Sequence, residues 1–197
     1  MTVDELIVDI AHQLQDPALA QVNQQQVISF INDAAHDASN AGWFVKLDDT
    51  DLTYTADTFE YAIPADFVHI YEIRTEDGGD LTVVPYNHWS VEDGITSVLR
   101  FSEELYVNTN ATLSIKGHKR PKRDYVEGSG TIDVGMESFL KERAVAYAAR
   151  NLAKGSSTKA ASYRSLEESA WQRSEQHLED QQDLFRPLPY SRRVYGR

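Results

Sequence analysis

The chain has 197 residues, 41% of them hydrophobic, enough for one ordinary domain or two small ones with a buried core. It contains no cysteine, which excludes a disulfide framework and thiol chemistry, and no stretch approaches the roughly 20 apolar residues of a membrane span. Formal charge is −12, from 19 Lys and Arg against 31 Asp and Glu, and so acidic a body repels nucleic acid over a screening length of about 8 Å.

The opening MTVDELIVDIAHQLQ lacks a basic n-region and carries acids inside its apolar pattern, so it reads as a helix rather than a signal peptide, with cytoplasmic synthesis as the expectation. Val3, Leu6, Ile7, Ile10 and Leu14 recur at the spacing of one helical face, and Thr2 with Glu5 predicts a capping box. Asp16 and Pro17 are expected to close this helix. A second is predicted from about Gln24 to Ala41, with Asn23 as N-cap, Gly42 as stop and a face of Val27, Ile31, Ala34, Ala35 and Ala38. The small residues on that face allow close approach by another helix.

From Trp43 the texture changes. DLTYT, TFEYAI, FVHIYEIRT, LTVVPY, SVLRF, ELYVNT and TLSIKGH are short, rich in β-branched and aromatic residues, and separated by Asp, Asn, Gly or Pro. Their spacing fits an antiparallel sandwich or meander. Asp77-Gly78-Gly79-Asp80 is the clearest hairpin turn, and Pro64 and Pro85 mark strand ends or edge strands. Trp43-Phe44 and His88-Trp89 read as junction packing before ligand stacking.

After EGSG (127–130) helix returns. Glu137 to Lys154 is alanine-rich, with the face Leu140, Ala144, Tyr147, Ala148 and Leu152. GSST (155–158) breaks it before a long polar helix, about Lys159 to Leu184, whose apolar stripe is thin: Tyr163, Leu166, Ala170 and Leu178. Such a helix lies over a bundle or finds a partner in another subunit. The final FRPLPYSRRVYGR cannot continue it, because Pro187 and Pro189 lack backbone donors and bias their predecessors to extended conformations. This tail carries four arginines and no carboxylate. Without it the body holds 15 Lys and Arg against the same 31 acids. Its aromatics and arginines suit a surface anchor; a frayed, solvated terminus is the plainer alternative. The expected fold is α+β, a helical bundle formed by N-terminal (1–42) and C-terminal (131–185) helix pairs, with an inserted antiparallel β domain (43–130) and an extended basic arm (186–197). A large insertion between neighbouring helices is tolerable because loop-closure cost rises slowly with length.

Nothing in the sequence marks an active site. His12, His36, His69, His88, His118 and His177 are scattered without metal-ligand spacing, so no metal or cofactor is expected. There is no Gly-x-Ser-x-Gly elbow, Gly128-Ser129-Gly130 lacks a phosphate-binding lysine, and the acidic pairs read as solvated faces. An enzyme is not expected. The second basic cluster, Lys116, Lys119, Arg120, Lys122 and Arg123, reads either as a phosphate-contacting loop or, favoured by the net charge, as cations that neutralise the acidic bulk or meet a neighbour's carboxylates.

VISFINDAAHDASNAGWF, YAIPADFVHIYEIRTEDGG, LSIKGHKRP, FLKERAVAYAARNLA, the polar helix with Trp171 and the closing PLPYSRRVYGR together resemble the head-to-tail adaptor (connector) proteins of tailed bacteriophages. The resemblance implies a structural virion protein at the neck, made in the host cytoplasm and assembled as a ring, typically twelve-fold, between the portal protein and the next neck or tail component. It implies that Arg186, Leu188, Tyr190, Arg192, Arg193, Val194, Tyr195 and Arg197 anchor the ring to the portal or to neighbouring subunits. Double-stranded DNA would pass through, with Glu167, Glu168, Glu175, Glu179 and Asp180 as candidate lumen acids. Lys116 to Arg123 would then contact another subunit or the tail-side partner; no membrane is involved. Two other readings stand beside it: a sequence-independent DNA-binding module using the basic loop and tail, and another tail or baseplate protein.

Overall fold

Two reciprocal caps begin the chain's first two helices. In the computed structural model, which describes residues 1–55, 57–63, 67–77, 80–92, 98–103, 111–128, 130–155, 158–184 and 192–193, helix α1 spans Val3–Gln13. Thr2 accepts from the Glu5 N–H through its hydroxyl, while its own N–H donates to the Glu5 carboxylate at 2.7 Å. Helix α2 (Gln24–Asn40) repeats the device with Asn23 and Gln26. Gly42, at φ 83°, turns the chain after α2.

The loop between α1 and α2 departs from the sequence reading. Helix α1 stops at Gln13, and Gln15 and Leu19 take left-handed backbones at φ 57° and 50°. Asp16 is not a passive stop. It is buried, and its carboxylate accepts from the N–H groups of Ala20, Gln21 and Val22 at 2.9, 2.7 and 3.2 Å. One side chain thus satisfies three donors that the irregular loop cannot pair by itself.

Helix α3 (Glu137–Gly155) is covered by α1, α2 and α4 (Ala160–Leu184). Burial therefore runs round much of α3 instead of along the single expected face: Phe139, Val145, Ala146 and Ala149 are buried beside Leu140, Ala144 and Ala148, whereas Tyr147 and Leu152 are half-buried. Charged Glu142 and Arg143 are buried too. The thin stripe of α4 does face inward, with Tyr163 and Ala170 buried and Leu166 and Leu178 half-buried.

The described β strands are all antiparallel and form two sheets. The larger has the order β1 (Val45–Thr53), β7 (Thr112–Lys119), β3 (Phe67–Asp77), β4 (Asp80–Val83), with β8 (Arg192–Arg193) also on β3. The smaller has the order β2 (Glu60–Ala62), β6 (Val98–Phe101), β5 (Trp89–Glu92). Phe67, Ile70, Ile73 and Ile115 of the first share one core with Tyr61, Trp89, Leu99 and Phe101 of the second. Asp77 pairs with Asp80, as the expected hairpin requires. The strand at Trp89–Glu92 was not anticipated, because Trp89 reads as junction packing; it is buried, with Tyr86 edge-on at 5.4 Å. The predicted ELYVNT strand, together with Gly78, Gly79 and Pro64, lies outside the described residues.

The chain divides into two compact units, Met1–Trp43 with Pro121–Phe185, and Phe44–Arg120 with Arg186–Arg197. The helical unit takes up the chain again at Pro121, ahead of residues 127–130. Tyr125 is fully buried there, its N–H donating to Asn32 at 2.8 Å and its carbonyl accepting from the Asn32 amide at 3.0 Å.

Burial pushes the Asp16 carboxyl up, but the donors at Gln21, Ala20 and Val22 outweigh it and hold the group below the ordinary carboxylate value. Its contribution is present above the unfolded value of about 3.9 and is lost as pH falls through the lower folded value. Asp16→Ala is expected to lower stability by roughly 1–3 kcal/mol at neutral pH. The difference from wild type should shrink on acidification below about pH 4, as urea unfolding at the two pH values will show.

Candidate assembly interface

Strand β3 gives one edge to β7 and divides the other between two strands. Residues Arg74–Asp77 pair with β4, while His69 and Ile70 pair with Arg193 and Arg192 of β8. Arg192 and Arg193 of the basic tail are thus in extended, sheet-bonded backbone. Arg186, Leu188, Tyr190, Val194, Tyr195 and Arg197 lie outside the described residues.

The β3 backbone is shaped at this point by β7. Between Phe67 and His69, and again between Ile70 and Glu72, the β3–β7 register shifts, and such bulges bend and twist a strand. Gly117 permits the approach: a Cβ there would stand 2.1 Å from the His69 carbonyl oxygen and 2.5 Å from the Phe67 ring. No larger residue fits without moving β3.

An aromatic cluster surrounds His69. Phe44 meets its ring edge-on at 5.1 Å, His118 lies at 6.3 Å, and Tyr71 stands 5.1 Å from His118. Lys46, His118, His69 and Arg193 occupy consecutive register positions across β1, β7, β3 and β8. Burial, then His69, then Lys46 push the His118 imidazolium down to about 4, so this ring is neutral at physiological pH. Sequence spacing hid the pair, since only strand register brings positions 69 and 118 together.

The basic loop is divided between the two units. Lys116 sits in register between Asp48 and Glu72, with its Nζ 3.4 Å from the Asp48 carboxylate, which also accepts from Ser114 at 2.9 Å. Lys119 is half-buried and Arg120 exposed. In the helical unit Lys122 Nζ lies 5.6 Å from the Tyr125 ring centre, and Arg123 reaches His36 at 3.4 Å.

The acids of α4 separate into two sets. Glu167 accepts from Arg150 at 2.6 Å and Glu175 from Arg143 at 2.5 Å, so both hold arginines of α3. Glu168, Glu179 and Asp180 are exposed, Asp180 taking a bond from Gln176. Glu168 and Glu179 are eleven residues apart, three helical turns, and share a face.

Sequence reasoning missed the polar centre of the helices. The Arg143 guanidinium lies 3.7 Å from the Trp171 ring centre, with Arg150 on the same ring at 5.3 Å. Half-buried Phe30, Tyr147 and Trp171 continue this contact across α2, α3 and α4, at 6.5 and 6.1 Å between centres. The only hint in the sequence was an arginine between apolar Leu140 and Ala144. Among the described residues no group of three or more His, Cys, Asp or Glu is placed to hold a metal ion, and no helix is long and apolar enough to cross a membrane. What the geometry offers is interface chemistry: a pairable strand edge, exposed charge and half-buried aromatics.

A family model described as SU10 adaptor protein matches residues 1–192, running through both units into β8. No curated protein matches the chain.

Because the His118 pKa is depressed in the fold, the unfolded chain takes up its proton first as pH falls, and stability is lost between about 6.5 and about 4. His118→Phe is expected to remove this component: the melting-temperature difference between variant and wild type should be flat above pH 7 and shift in the variant's favour towards pH 4. A parallel fall in both proteins would show that His118 does not titrate with folding.

Proposed function

Since the chain belongs to the SU10 adaptor protein family, a phage adaptor family, we propose that it is a head-to-tail adaptor forming a ring, typically twelve-fold, between the portal and the next neck component of a virion. The observation that carries this reading is the family match over residues 1–192, running through the helices and the β unit into the tail in one continuous order. Here the four helices act as the ring's bundle and the β unit as its insertion. The work is structural rather than catalytic, and the protein resides at the virion neck after synthesis in the host.

The tail, with four arginines and no acid over residues 186–197, anchors to the portal or to neighbouring subunits. Guanidinium forks pair with carboxylates and tyrosines fill clefts, and many copies supply avidity without any single arm being strong. Arg120 and Arg123, exposed on their units, are the members of the basic loop best placed for a neighbouring subunit or the tail-side partner. Of the helix acids, Glu168, Glu179 and Asp180 remain to line a DNA passage, since Glu167 and Glu175 are engaged by arginines of the same chain.

Tagged full-length protein, in lysate of the infected host, is expected to recover a portal-sized virion protein that a chain stopping at Phe185 does not. Equal recovery by both would move the anchor to the helices or the β unit, and recovery of DNA alone would refute the adaptor role. Replacing Glu168, Glu179 and Asp180 together by lysine should slow DNA ejection while leaving thermal stability near wild type; unchanged ejection would remove these acids from the lumen.

A further inference from the structure

We propose that β8 is an exchangeable strand: in the assembled ring, the edge of β3 at His69–Ile70 pairs with the tail of a neighbouring copy of this chain. The inference rests on the ring reading above and names one of its contacts.

The β3 edge is the first reason. Beyond the stretch covered by β4, the strand would present bare N–H and C=O groups at His69–Ile70, where β8 now pairs, and an uncovered edge is a template for any extended chain. The second is connectivity. Helix α4 ends at Leu184 in the helical unit, while β8 pairs in the β unit. Seven residues separate Leu184 from Arg192, a link that reaches at most about 28 Å when extended. Any β3 edge that lies within this reach competes for the tail.

Energetics make the exchange nearly neutral in bonding. The paired segment has two residues, and the same strand on the same edge of another copy forms the same bonds. The choice is set by effective concentration, which a short covalent link brings to about millimolar. A dilute chain thus pairs with itself, whereas in a ring the adjoining edge is held at comparable concentration. Charge does not oppose the transfer: residues 44–120 hold 14 Asp and Glu against six Lys and Arg, and the tail has four arginines and no acid. Any copy of the β unit attracts it. Because donor and acceptor surfaces differ, each copy giving its tail to the next is a heterologous contact, the kind that closes into a ring.

The chain has no cysteine, so the test is clean. One chain carries His69→Cys and another Arg193→Cys, and the two are mixed, allowed to assemble in virions and oxidised. The expected result is a disulfide joining position 69 of one chain to position 193 of the other, identified by peptide mass spectrometry. A chain bearing both changes should close on itself when dilute and cross-link in virions. Closure within single chains in both states, with no cross-chain link, would overturn the proposal.

A second measurement avoids His69. In a full-length chain carrying Arg192→Pro and Arg193→Pro, the amides of residues 67–72 should exchange with solvent faster than in wild type, and a peptide of residues 186–197 added in trans should slow them several-fold. No slowing at millimolar peptide overturns the exchange. These readouts follow links between copies of this chain alone, so recovery of DNA alone from lysate would refute the adaptor role without touching them.

Discussion

The stacking of Arg143 on Trp171 is the contact on which the helical unit depends. Helix α4 has too few apolar residues to bury itself by hydrophobic area, and α3 is largely alanine where they meet. A guanidinium laid flat on an indole provides both a broad apolar contact and a fixed charge. Burying that charge is expensive unless it is paired, and the pairing ties the chain's distant parts together. Glu175 comes from α4, while Asp37, 3.8 Å from the Arg143 Nε, comes from α2 and also accepts the Tyr147 hydroxyl. A second polar tie stands beside it, with buried Glu142 accepting from Arg173 of α4 and from Gln13 of α1. Helices separated by a whole β unit are thus held by directional bonds, which specify one register where small apolar faces alone would allow sliding.

That constraint explains which features were legible in the sequence. Caps were, because a capping box is a local pattern that leaves little else for Thr2 and Glu5 to do. The thin stripe of α4 was, because helical periodicity survives even with few apolar residues. Arg143 was not: by residue type it belongs on the surface, and its partners Trp171, Glu175 and Asp37 lie 28, 32 and 106 residues away in the chain. The acids of α4 failed for the same reason. A polar helix offers carboxylates that look alike, and only the packing against α3 shows that Glu167 and Glu175 hold its arginines while Glu168, Glu179 and Asp180 stay exposed.

In the β unit the β-branched and aromatic segments between turn residues announced strands, but their order was hidden. Placing β7 between β1 and β3 depends on register over long separations, and so does the meeting of His69 with His118. Gly117 lay inside the predicted TLSIKGH strand with no role assigned to it. Its function is to let the β3 backbone and the Phe67 ring come where a side chain would stand, and the bulges that accompany this approach flank the pair of residues that meets β8.

The tail's basic character was readable by counting, and its two prolines argue against a continued helix. Its sheet partner was not readable, since a strand of two residues carries no alternation to detect. A long, well-paired final strand would bind its own edge too strongly to be released, while an absent one would leave β3 open to indiscriminate pairing between chains made at high concentration in one cell. The two described residue pairs cover the edge at His69 and Ile70. On the exchange proposed above, the same pairing passes to a neighbouring copy once copies are brought together, with the opposite charges of tail and body favouring association over dispersal.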